Sequence, residues 1–197
     1  FSKSGFYNFY ISTYYKSEII KDYFKNGEKF NVSIKYIEEE KPLGTAGALS
    51  LLPYNTFSSP IIMMNGDILT DLDFDNFYCQ HVLGKHLFTI SSYRRQQKID
   101  YGVLETNELN HLVGFREKPE AEYQVSMGIY MLSKAVLDFI PNKGAYGFDD
   151  LMLNLIKAER NVNVQDFDGY WLDIGRPDDY VQAIDEFDVM RSKFIDD

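Results

Sequence analysis

Two stretches of this chain combine residue types and spacing that suit the binding of a nucleotide and a metal ion. One is an apolar run, Pro60-Ile61-Ile62-Met63-Met64, which stops at the tripeptide Asn65-Gly66-Asp67. A buried parallel strand that ends in this way delivers its acid to the carboxyl edge of an open α/β sheet, where such folds bind ligands. The other is the glycine-rich turn Pro42-Leu43-Gly44-Thr45-Ala46-Gly47-Ala48-Leu49, which opens a helix a short distance upstream. Together they predict a nucleotide site beside a metal-binding aspartate.

Asp67 is the first candidate for metal chemistry. An Asn-Gly-Asp turn by itself is equally typical of a simple chain reversal. Its place after a fully apolar strand, with Asp71 and Asp73 just beyond, favours the functional interpretation. Carboxylate oxygens are the ligands that Mg²⁺ prefers, and the ion commonly bridges to the phosphates of a substrate.

Asp173 is the second candidate, in the segment Gly169-Tyr170-Trp171-Leu172-Asp173-Ile174-Gly175-Arg176-Pro177. The purely structural interpretation is a strand end that Trp171 anchors, with Asp173 as the cap of the helix that follows. Asp178 and Asp179 are equally placed to cap that helix, which leaves Asp173 available for a ligand.

Glu117-Lys118-Pro119 is the third candidate, at the end of a predicted strand. Adjacent opposite charges of this kind are usually solvated on the surface. Here Pro119 stiffens the backbone, so both side chains could be held over a site, and a lysine point charge suits a phosphate monoester. Gly102 and Gly128 lie inside predicted strands, where a glycine marks either a bulge or the close approach of a ligand.

The elements that must position these residues alternate between strands and helices. The predicted strands cover residues 5–12, 32–37, 60–64, 87–92, 101–105, 111–116, 125–132, 162–167 and 170–173, and the predicted helices cover 17–25, 45–52, 73–82, 133–139, 148–158 and 177–191. This alternation favours a mixed, mostly parallel sheet with helices on both faces and a smaller antiparallel part in the middle. His81, His86 and His111 share no spacing and are interpreted as surface or helix-face residues.

Composition limits the classes of function. The 197 residues suit one domain, and the formal charge of −10 argues against nonspecific nucleic-acid binding, which needs a basic surface. Cys79 is the only cysteine, so neither an intramolecular disulfide nor a thiolate metal cluster is expected. No apolar run approaches the length of a membrane span and no signal peptide is visible, which makes the cytoplasm the default location. A chain that begins at Phe1 and enters a strand within a few residues is expected to be a piece of a longer protein.

Six motifs, taken in order, resemble those of the sugar-1-phosphate nucleotidyltransferases, and the nearest branch is that of the mannose-1-phosphate guanylyltransferase-like proteins. The motifs are Pro42-Leu43-Gly44-Thr45-Ala46-Gly47, Asn65-Gly66-Asp67, Tyr101-Gly102-Val103, Glu117-Lys118-Pro119, Met127-Gly128-Ile129-Tyr130 and Trp171-Leu172-Asp173-Ile174-Gly175. The resemblance implies a Rossmann-like nucleotidyltransferase fold with Mg²⁺ as cofactor. It also implies a reaction in which a nucleoside triphosphate, with GTP favoured, and a hexose-1-phosphate give a nucleotide sugar and pyrophosphate.

The resemblance assigns roles to individual residues. Asp67 and Asp173 match the aspartates that hold Mg²⁺. Lys118 matches the lysine that meets the sugar phosphate, and Glu117 matches the acid that reads the sugar hydroxyls. The sugar-phosphate side is completed by two strand glycines, Gly102 and Gly128. The nucleotide side is expected at six positions: Leu43, Gly44, Thr45, Ala46, Asn65 and Gly66.

One part of the family's pattern is absent from this chain. The family's first strand is followed by a loop of pattern G-G-x-G-T-R-L-x-P-x-T and a later P-K-P, and neither occurs in these 197 residues. Because that loop wraps the triphosphate, the chain by itself is expected to be inactive. An open slot is expected in the sheet where the first strand belongs.

Other interpretations stay open. The same reaction with UTP or dTTP is one, since the turn at Thr45 favours guanine only by resemblance. A non-catalytic relative that binds nucleotide sugars as a regulatory subunit is another. Intact Asp67, Lys118 and Asp173 argue against it, because a pure binder has no need of both metal carboxylates. The expected partners are the two substrates, without nucleic acid or membrane, and a homo-oligomer is left open.

Overall fold

The fold is described from a computed structural model, which covers residues 1–53, 60–141 and 144–194. Its strands are β1 (Asn8–Thr13), β2 (Ser33–Glu38), β3 (Ile61–Met64), β4 (Ile68–Thr70), β5 (Phe88–Lys98), β6 (Val103–Thr106), β7 (Leu112–Arg116), β8 (Glu120–Leu132), β9 (Val162–Phe167) and β10 (Trp171–Asp173). Its α-helices are α1 (Ser17–Phe24), α2 (Gly44–Gly47), α3 (Phe74–Leu83), α4 (Phe148–Lys157) and α5 (Pro177–Phe194). Within these ranges, no helix is both long and apolar enough to cross a membrane.

The central sheet has four strands in the order β3-β8-β5-β9. β8 pairs antiparallel with β3 and with β5, whereas β5 pairs parallel with β9. Three of the four strands therefore run in one direction, and β8 runs against them. The predicted α/β class, with a mixed and mostly parallel sheet flanked by helices, is confirmed.

The strand that precedes Asn65 differs from its prediction in two respects. β3 bonds to the antiparallel β8 rather than to a parallel neighbour, and its four side chains are half-buried rather than fully buried. Among the described residues β3 is the outer strand of this sheet, so another strand covers only one of its flanks. The apolar composition correctly predicted the strand but could not indicate which neighbour it pairs with.

Apolar side chains pack against both faces of the central sheet because successive residues of a strand point to opposite sides. In β8 this alternation sends Ile129 and Met131 to one face and Tyr130 and Leu132 to the other. The first face is covered from α3 and β10 by residues that include Phe74, Phe77 and Trp171. The opposite face is covered from α2 and α4 by residues that include Ala46, Phe148, Leu151 and Leu155.

β8 contains a bulge in the middle of the sheet. Ile90 pairs with Tyr130 and Ser92 pairs with Ser126, so three residues of β8 lie opposite one residue of β5. Gly128, within the bulge, has a φ of +75°, a left-handed conformation that favours glycine. The sequence left open whether this glycine marks a bulge or a ligand, and the structure shows a bulge.

The remaining strands form three separate pairs. β1 and β2 pair in parallel, and β4 and β10 pair antiparallel. β6 and β7 form an antiparallel hairpin, which confirms the smaller antiparallel part.

Two helix predictions are corrected by the structure. The predicted helix over 45–52 is only the four-residue α2 followed by a 3₁₀ turn at Ala48–Leu51. The segment after β8 is likewise a 3₁₀ turn, Lys134–Phe139, and Ser133 does not cap it, because its hydroxyl donates to the carbonyl of His86 at 2.7 Å. The helix predicted over 73–82 is confirmed as α3, and the Asp73 carboxylate caps it by accepting the N–H of Asn76 at 2.9 Å.

Of the two interpretations of His81, a helix-face residue is correct and a surface residue is not, because His81 lies on the buried face of α3. Its side chain is only 1% exposed, and its two ring nitrogens lie 2.8 Å from the Thr89 hydroxyl and 3.0 Å from the Ser133 hydroxyl. Burial, with a smaller contribution from the neighbouring His86, lowers the pKa of His81 to about 4. A neutral His81 therefore ties α3 to the central sheet.

Candidate functional site

Asp67 and Asp173 meet where β4 pairs with β10. Asp173 lies opposite Ile68, and the N–H of Ile174 donates to the carbonyl of Asp67 at 2.9 Å. A Cβ placed on Gly175 would lie 2.6 Å from Asp67 Oδ2 and 3.1 Å from Asp173 Oδ1, so the two oxygens cannot be further apart than the sum of these distances. The structure thus brings together the two carboxylates that the sequence nominated for metal binding.

This pair of carboxylates suits a hard divalent cation. Mg²⁺ prefers carboxylate oxygens and usually retains several waters or substrate oxygens instead of an all-protein cage. A side chain at residue 175 would crowd both carboxylates, and Gly175 has none. In the described part of the chain, no group of three or more His, Cys, Asp or Glu side chains could enclose a metal. An ion held here would therefore rely on water and phosphate oxygens to complete its coordination.

Asn65 lies directly against the bulge in β8. Its N–H donates to the carbonyl of Gly128 at 3.0 Å, and a Cβ on Gly128 would be 2.8 Å from Asn65 Nδ2. On the other side, the indole N–H of Trp171 donates to the carbonyl of Met127 at 3.0 Å. The bulge therefore holds the two segments that carry Asp67 and Asp173.

The glycine-rich turn is docked on the start of α4. The carbonyl of Tyr146 accepts the N–H groups of Ala46 and Gly47 at 3.0 and 2.9 Å, and the Tyr146 N–H donates to the carbonyl of Leu43 at 2.7 Å. The hydroxyl of Thr45 accepts the N–H of Phe148 at 3.0 Å.

The turn exposes only some of the residues nominated for nucleotide binding. Leu43 and Ala46 are buried, so their side chains serve the packing of the turn. Gly44 and Thr45 are exposed, and these two positions remain available to a nucleotide. Gly44 has a φ of +77° and approaches the Tyr146 carbonyl so closely that a Cβ there would lie 2.8 Å from it.

Tyr130 connects the glycine-rich turn to the bulge. Its ring stacks on that of Phe148, with centroids 4.0 Å apart, and its oxygen accepts a hydrogen bond from the Ser126 hydroxyl at 3.1 Å. The N–H of Gly128 donates to the same Ser126 oxygen at 3.3 Å. Burial raises the pKa of Tyr130, so its phenol stays protonated near neutral pH. Ser126 was not singled out from the sequence.

The predicted sugar-phosphate residues form a second group beside the β6–β7 hairpin. A Cβ on Gly102 would be 2.6 Å from the Phe115 ring and 3.3 Å from Glu117 Oε2, so Gly102 and Glu117 are neighbours. Lys118 lies in the turn before β8 with a φ of +42°, and its side chain is exposed. Gly128 belongs to the bulge and not to this group. The metal candidates and this group are held by different strand pairs.

Asp179 and Arg95 are the residues that sequence reasoning missed. Asp179 does not cap α5, because it is buried and its carboxylate accepts two hydrogen bonds from Arg95, at 3.0 and 2.7 Å. Its Oδ2 also accepts the N–H of Asp173 at 3.2 Å. The Arg95 guanidinium lowers the pKa of the Asp179 carboxyl, and Asp179 raises the pKa of Arg95. Asp178 and Asp179 look alike in the sequence, which offered no signal to separate them.

Asp71 and Asp73 have structural roles. Asp73 caps α3, and Asp71 accepts the N–H of Tyr170 at 2.7 Å and pairs with Lys193 at 3.4 Å. Both acids therefore stabilise the segments next to Asp67 and Asp173.

Comparison with known proteins finds one family model and several relatives that match most of the chain. A family model described as nucleotidyl transferase matches residues 1–188. A D-glycero-α-D-manno-heptose 1-phosphate guanylyltransferase of Aneurinibacillus thermoaerophilus is 29% identical over 92% of this chain and 79% of its own length. A UTP–glucose-1-phosphate uridylyltransferase of Synechocystis is 30% identical over 91% of this chain and 51% of its own length.

Two further matches extend this comparison. A mannose-1-phosphate guanylyltransferase of Mycobacterium tuberculosis is 25% identical over 91% of the chain and 51% of its own length. The crystal structure of HddC from Yersinia pseudotuberculosis superposes with a TM-score of 0.70 at 26% identity, covering 94% of this chain and 81% of that one. The chain therefore spans about half the length of some of these relatives and four fifths of others.

Proposed function

Because this chain belongs to the nucleotidyl transferase family, we propose that it serves the transfer of a nucleotidyl group from a nucleoside triphosphate to a hexose-1-phosphate. The products are a nucleotide sugar and pyrophosphate. The observation that carries the proposal is the meeting of Asp67 and Asp173 over Gly175. Two acids brought so close, next to a bulge that Tyr130 links to the glycine-rich turn, suit a site that gathers phosphates around a cation.

The chemistry needs positioning more than proton transfer. An oxygen of the sugar phosphate forms a bond to the α-phosphorus while the bond from that phosphorus to the bridging oxygen breaks, and pyrophosphate leaves with the electron pair. The attacking phosphate is already ionised near neutral pH, so no general base is required. Bound Mg²⁺ supplies charge neutralisation between the two anions. Asp67 and Asp173 would hold it, and their rigid strand ends would keep it in place.

The sugar phosphate is assigned to the second group of residues. Lys118, exposed in the turn before β8, offers a cation to the incoming phosphate. Glu117 offers carboxylate oxygens to sugar hydroxyls, and the bare backbone of its neighbour Gly102 packs against the Phe115 ring. Gly128 is assigned to the same substrate from the bulge, where its bare backbone packs against the Asn65 side chain.

The nucleotide is assigned to the glycine-rich turn and to the Asn65-Gly66 corner. The exposed Gly44 and Thr45 would face the base, with Leu43 and Ala46 as the buried support of the turn. GTP is favoured because the heptose and mannose relatives are named guanylyltransferases. The similarity to a relative named as a uridylyltransferase supports UTP as the second candidate, and dTTP remains an alternative.

We further propose that these 197 residues by themselves bind a nucleotide sugar but do not form one. The glycine-rich triphosphate loop of the family is not among them. The non-catalytic alternative, a regulatory binder, differs from this in one respect. It would have no need of both carboxylates, so its binding would not depend on a divalent cation.

Isothermal titration calorimetry with nucleotide sugars tests the proposal. GDP-mannose, UDP-glucose and dTDP-glucose are titrated into the chain with and without Mg²⁺, because a product needs no triphosphate loop. We expect Mg²⁺-dependent binding with GDP-mannose the tightest, lost in Asp67→Asn and Asp173→Asn and kept in the matched control Asp178→Asn, an exposed acid. Binding that ignores Mg²⁺ would support the regulatory binder, and no binding of any of the three would refute the proposed function.

A further inference from the structure

Asp179 is a buried carboxylate whose position a helix start does not explain. It lies in the first turn of α5, yet its side chain is 4% exposed and binds Arg95 and the backbone of Asp173. A charge taken out of water is costly unless it is paired and its remaining lone pairs are hydrogen-bonded. A residue that only began the helix could stay at the surface, as Asp178 does.

Arg95 supplies the pairing. Its two terminal nitrogens each bind one oxygen of Asp179, at 3.0 and 2.7 Å, which is the two-pronged geometry that favours arginine over lysine. Arg95 reaches α5 from the middle of β5, 84 residues earlier in the chain. Its guanidinium also lies over the ring of Trp171, 6.0 Å from the centroid, and Trp171 is in turn bonded to the bulge in β8.

A third hydrogen bond to Asp179 comes from the backbone of Asp173. Asp179 Oδ2 accepts the Asp173 N–H at 3.2 Å, and Asp173 Oδ1 accepts the N–H of Gly175 at 3.2 Å. Asp173 is therefore restrained at its backbone by Asp179 and at its carboxylate by Gly175. Both restraints act on the residue that shares the candidate metal site with Asp67.

We infer that the Arg95–Asp179 pair is a positioning device for Asp173, which sets its carboxylate against that of Asp67. Arg95 and Asp179 do not touch the metal. They act through the backbone of β10, as outer residues commonly orient a metal ligand. The inference rests on the metal site of the proposed function and names two residues that no motif indicated.

The competing explanation is that the ion pair merely anchors α5 to the sheet. That role predicts a loss of stability without a specific change at Asp173. Two measurements separate the explanations: amide hydrogen exchange at Asp173, followed by NMR without metal, and binding of Mn²⁺ alone, followed by electron paramagnetic resonance. Mn²⁺ is a suitable probe because it shares with Mg²⁺ a preference for carboxylate and water oxygens.

The variants are Asp179→Asn, Arg95→Met and Arg95→Lys. We expect the Asp173 amide to exchange about tenfold faster and Mn²⁺ to bind about tenfold more weakly in the first two, with partial recovery in Arg95→Lys. Arg94→Met is the matched control, since Arg94 is the adjacent residue of β5 and pairs with the exposed Glu122 at 3.0 Å. Arg94→Met should leave both readouts unchanged.

Unchanged exchange at Asp173 together with unchanged Mn²⁺ affinity in a folded Asp179→Asn chain would overturn the inference. If Arg95→Met does not fold, Arg95→Lys and Asp179→Asn decide, because both retain the volume at their sites. Failure of the unaltered chain to bind Mn²⁺ would refute the metal site of the proposed function. In that case exchange at the Asp173 amide alone decides whether the pair positions it.

Discussion

At the scale of single residues, Gly175 is the position on which the candidate metal site depends most directly. Its φ is not left-handed, so alanine is compatible with the backbone there, but the added Cβ would lie 2.6 Å from Asp67 Oδ2. Gly175→Ala is expected to push the Asp67 carboxylate away from Asp173 and to weaken Mn²⁺ binding about tenfold with little change in melting temperature.

Gly66→Ala is the control for the effect of an added methyl group on the melting temperature, because a Cβ at Gly66 would enter open space. Both melting temperatures come from circular dichroism, and Mn²⁺ binding is measured by paramagnetic resonance. Full Mn²⁺ affinity in Gly175→Ala would show that the two carboxylates do not share an ion.

Lys118 belongs to the same scale. As an exposed cation assigned to the sugar phosphate, it should contribute to binding of a hexose-1-phosphate and not to binding of a free nucleotide. Lys118→Ala is expected to weaken mannose-1-phosphate binding about tenfold in calorimetry, since one charged hydrogen bond is worth about 1.5–3 kcal/mol. Lys98→Ala, at another exposed lysine, is the matched control. The opposite pattern, with GTP binding lost, would mean that the two substrate halves are assigned wrongly.

At the scale of the element, the bulge in β8 combines backbone strain with crowding. Gly128→Ala would place a left-handed non-glycine residue 2.8 Å from Asn65 Nδ2, and we expect a loss of about 2–3 kcal/mol in the free energy of unfolding. Gly5→Ala is a matched control, because Gly5 has a φ of +82° with nothing within 4 Å of a Cβ, so it reports strain alone. Urea unfolding measures both, and equal losses would show that contact with Asn65 is unimportant.

His81 ties α3 to β5 and to the end of β8, and its titration should be visible in stability. Its pKa is about 4 in the folded chain against an ordinary 6.5, so the unfolded chain binds the proton first. The contribution of neutral His81 is therefore complete above pH 6.5 and is lost as the pH falls toward 4, by up to about 3 kcal/mol. Urea unfolding between pH 7 and pH 4 measures the slope of the free energy of unfolding against pH.

The variant that removes the titration is His81→Gln, for which a shallower slope is expected. His111→Gln, at an exposed histidine of the β6–β7 hairpin, should keep the slope of the unaltered chain. A slope that His81→Gln does not change would assign the acid sensitivity to other groups.

At the scale of the whole molecule, a formal charge of −10 makes the capture of an anionic substrate depend on a metal and a few cations. Arg95 is not one of these cations, because it is paired with Asp179. We expect no pyrophosphate release when the 197-residue chain is incubated with Mg²⁺, GTP and mannose-1-phosphate, because the positively charged triphosphate loop of the family is not in it. Binding of GDP-mannose by the same preparation shows that it is folded, and clear turnover would make that loop dispensable.

Much of the molecule could be predicted from local pattern. The strand before Asn65, the hairpin of β6 and β7 and the cap at Asp73 follow from apolar residues and turn or capping residues that lie within a few positions of one another. The order of six short motifs also sufficed to indicate the family, which the match over residues 1–188 confirms. These features can be recognised in the sequence because each depends on residues that lie close together along the chain.

What the tertiary structure decided concerns partners that are distant in sequence. Asp67 and Asp173 meet because β4 pairs with β10, and Asp179 of α5 differs from Asp178 because Arg95 reaches it from β5. His81 binds Thr89 of β5 and Ser133, the residue that follows β8, and β3 pairs with a strand that begins far downstream. Side-chain burial and ion pairing depend on which surfaces pack together, and no local periodicity carries that information.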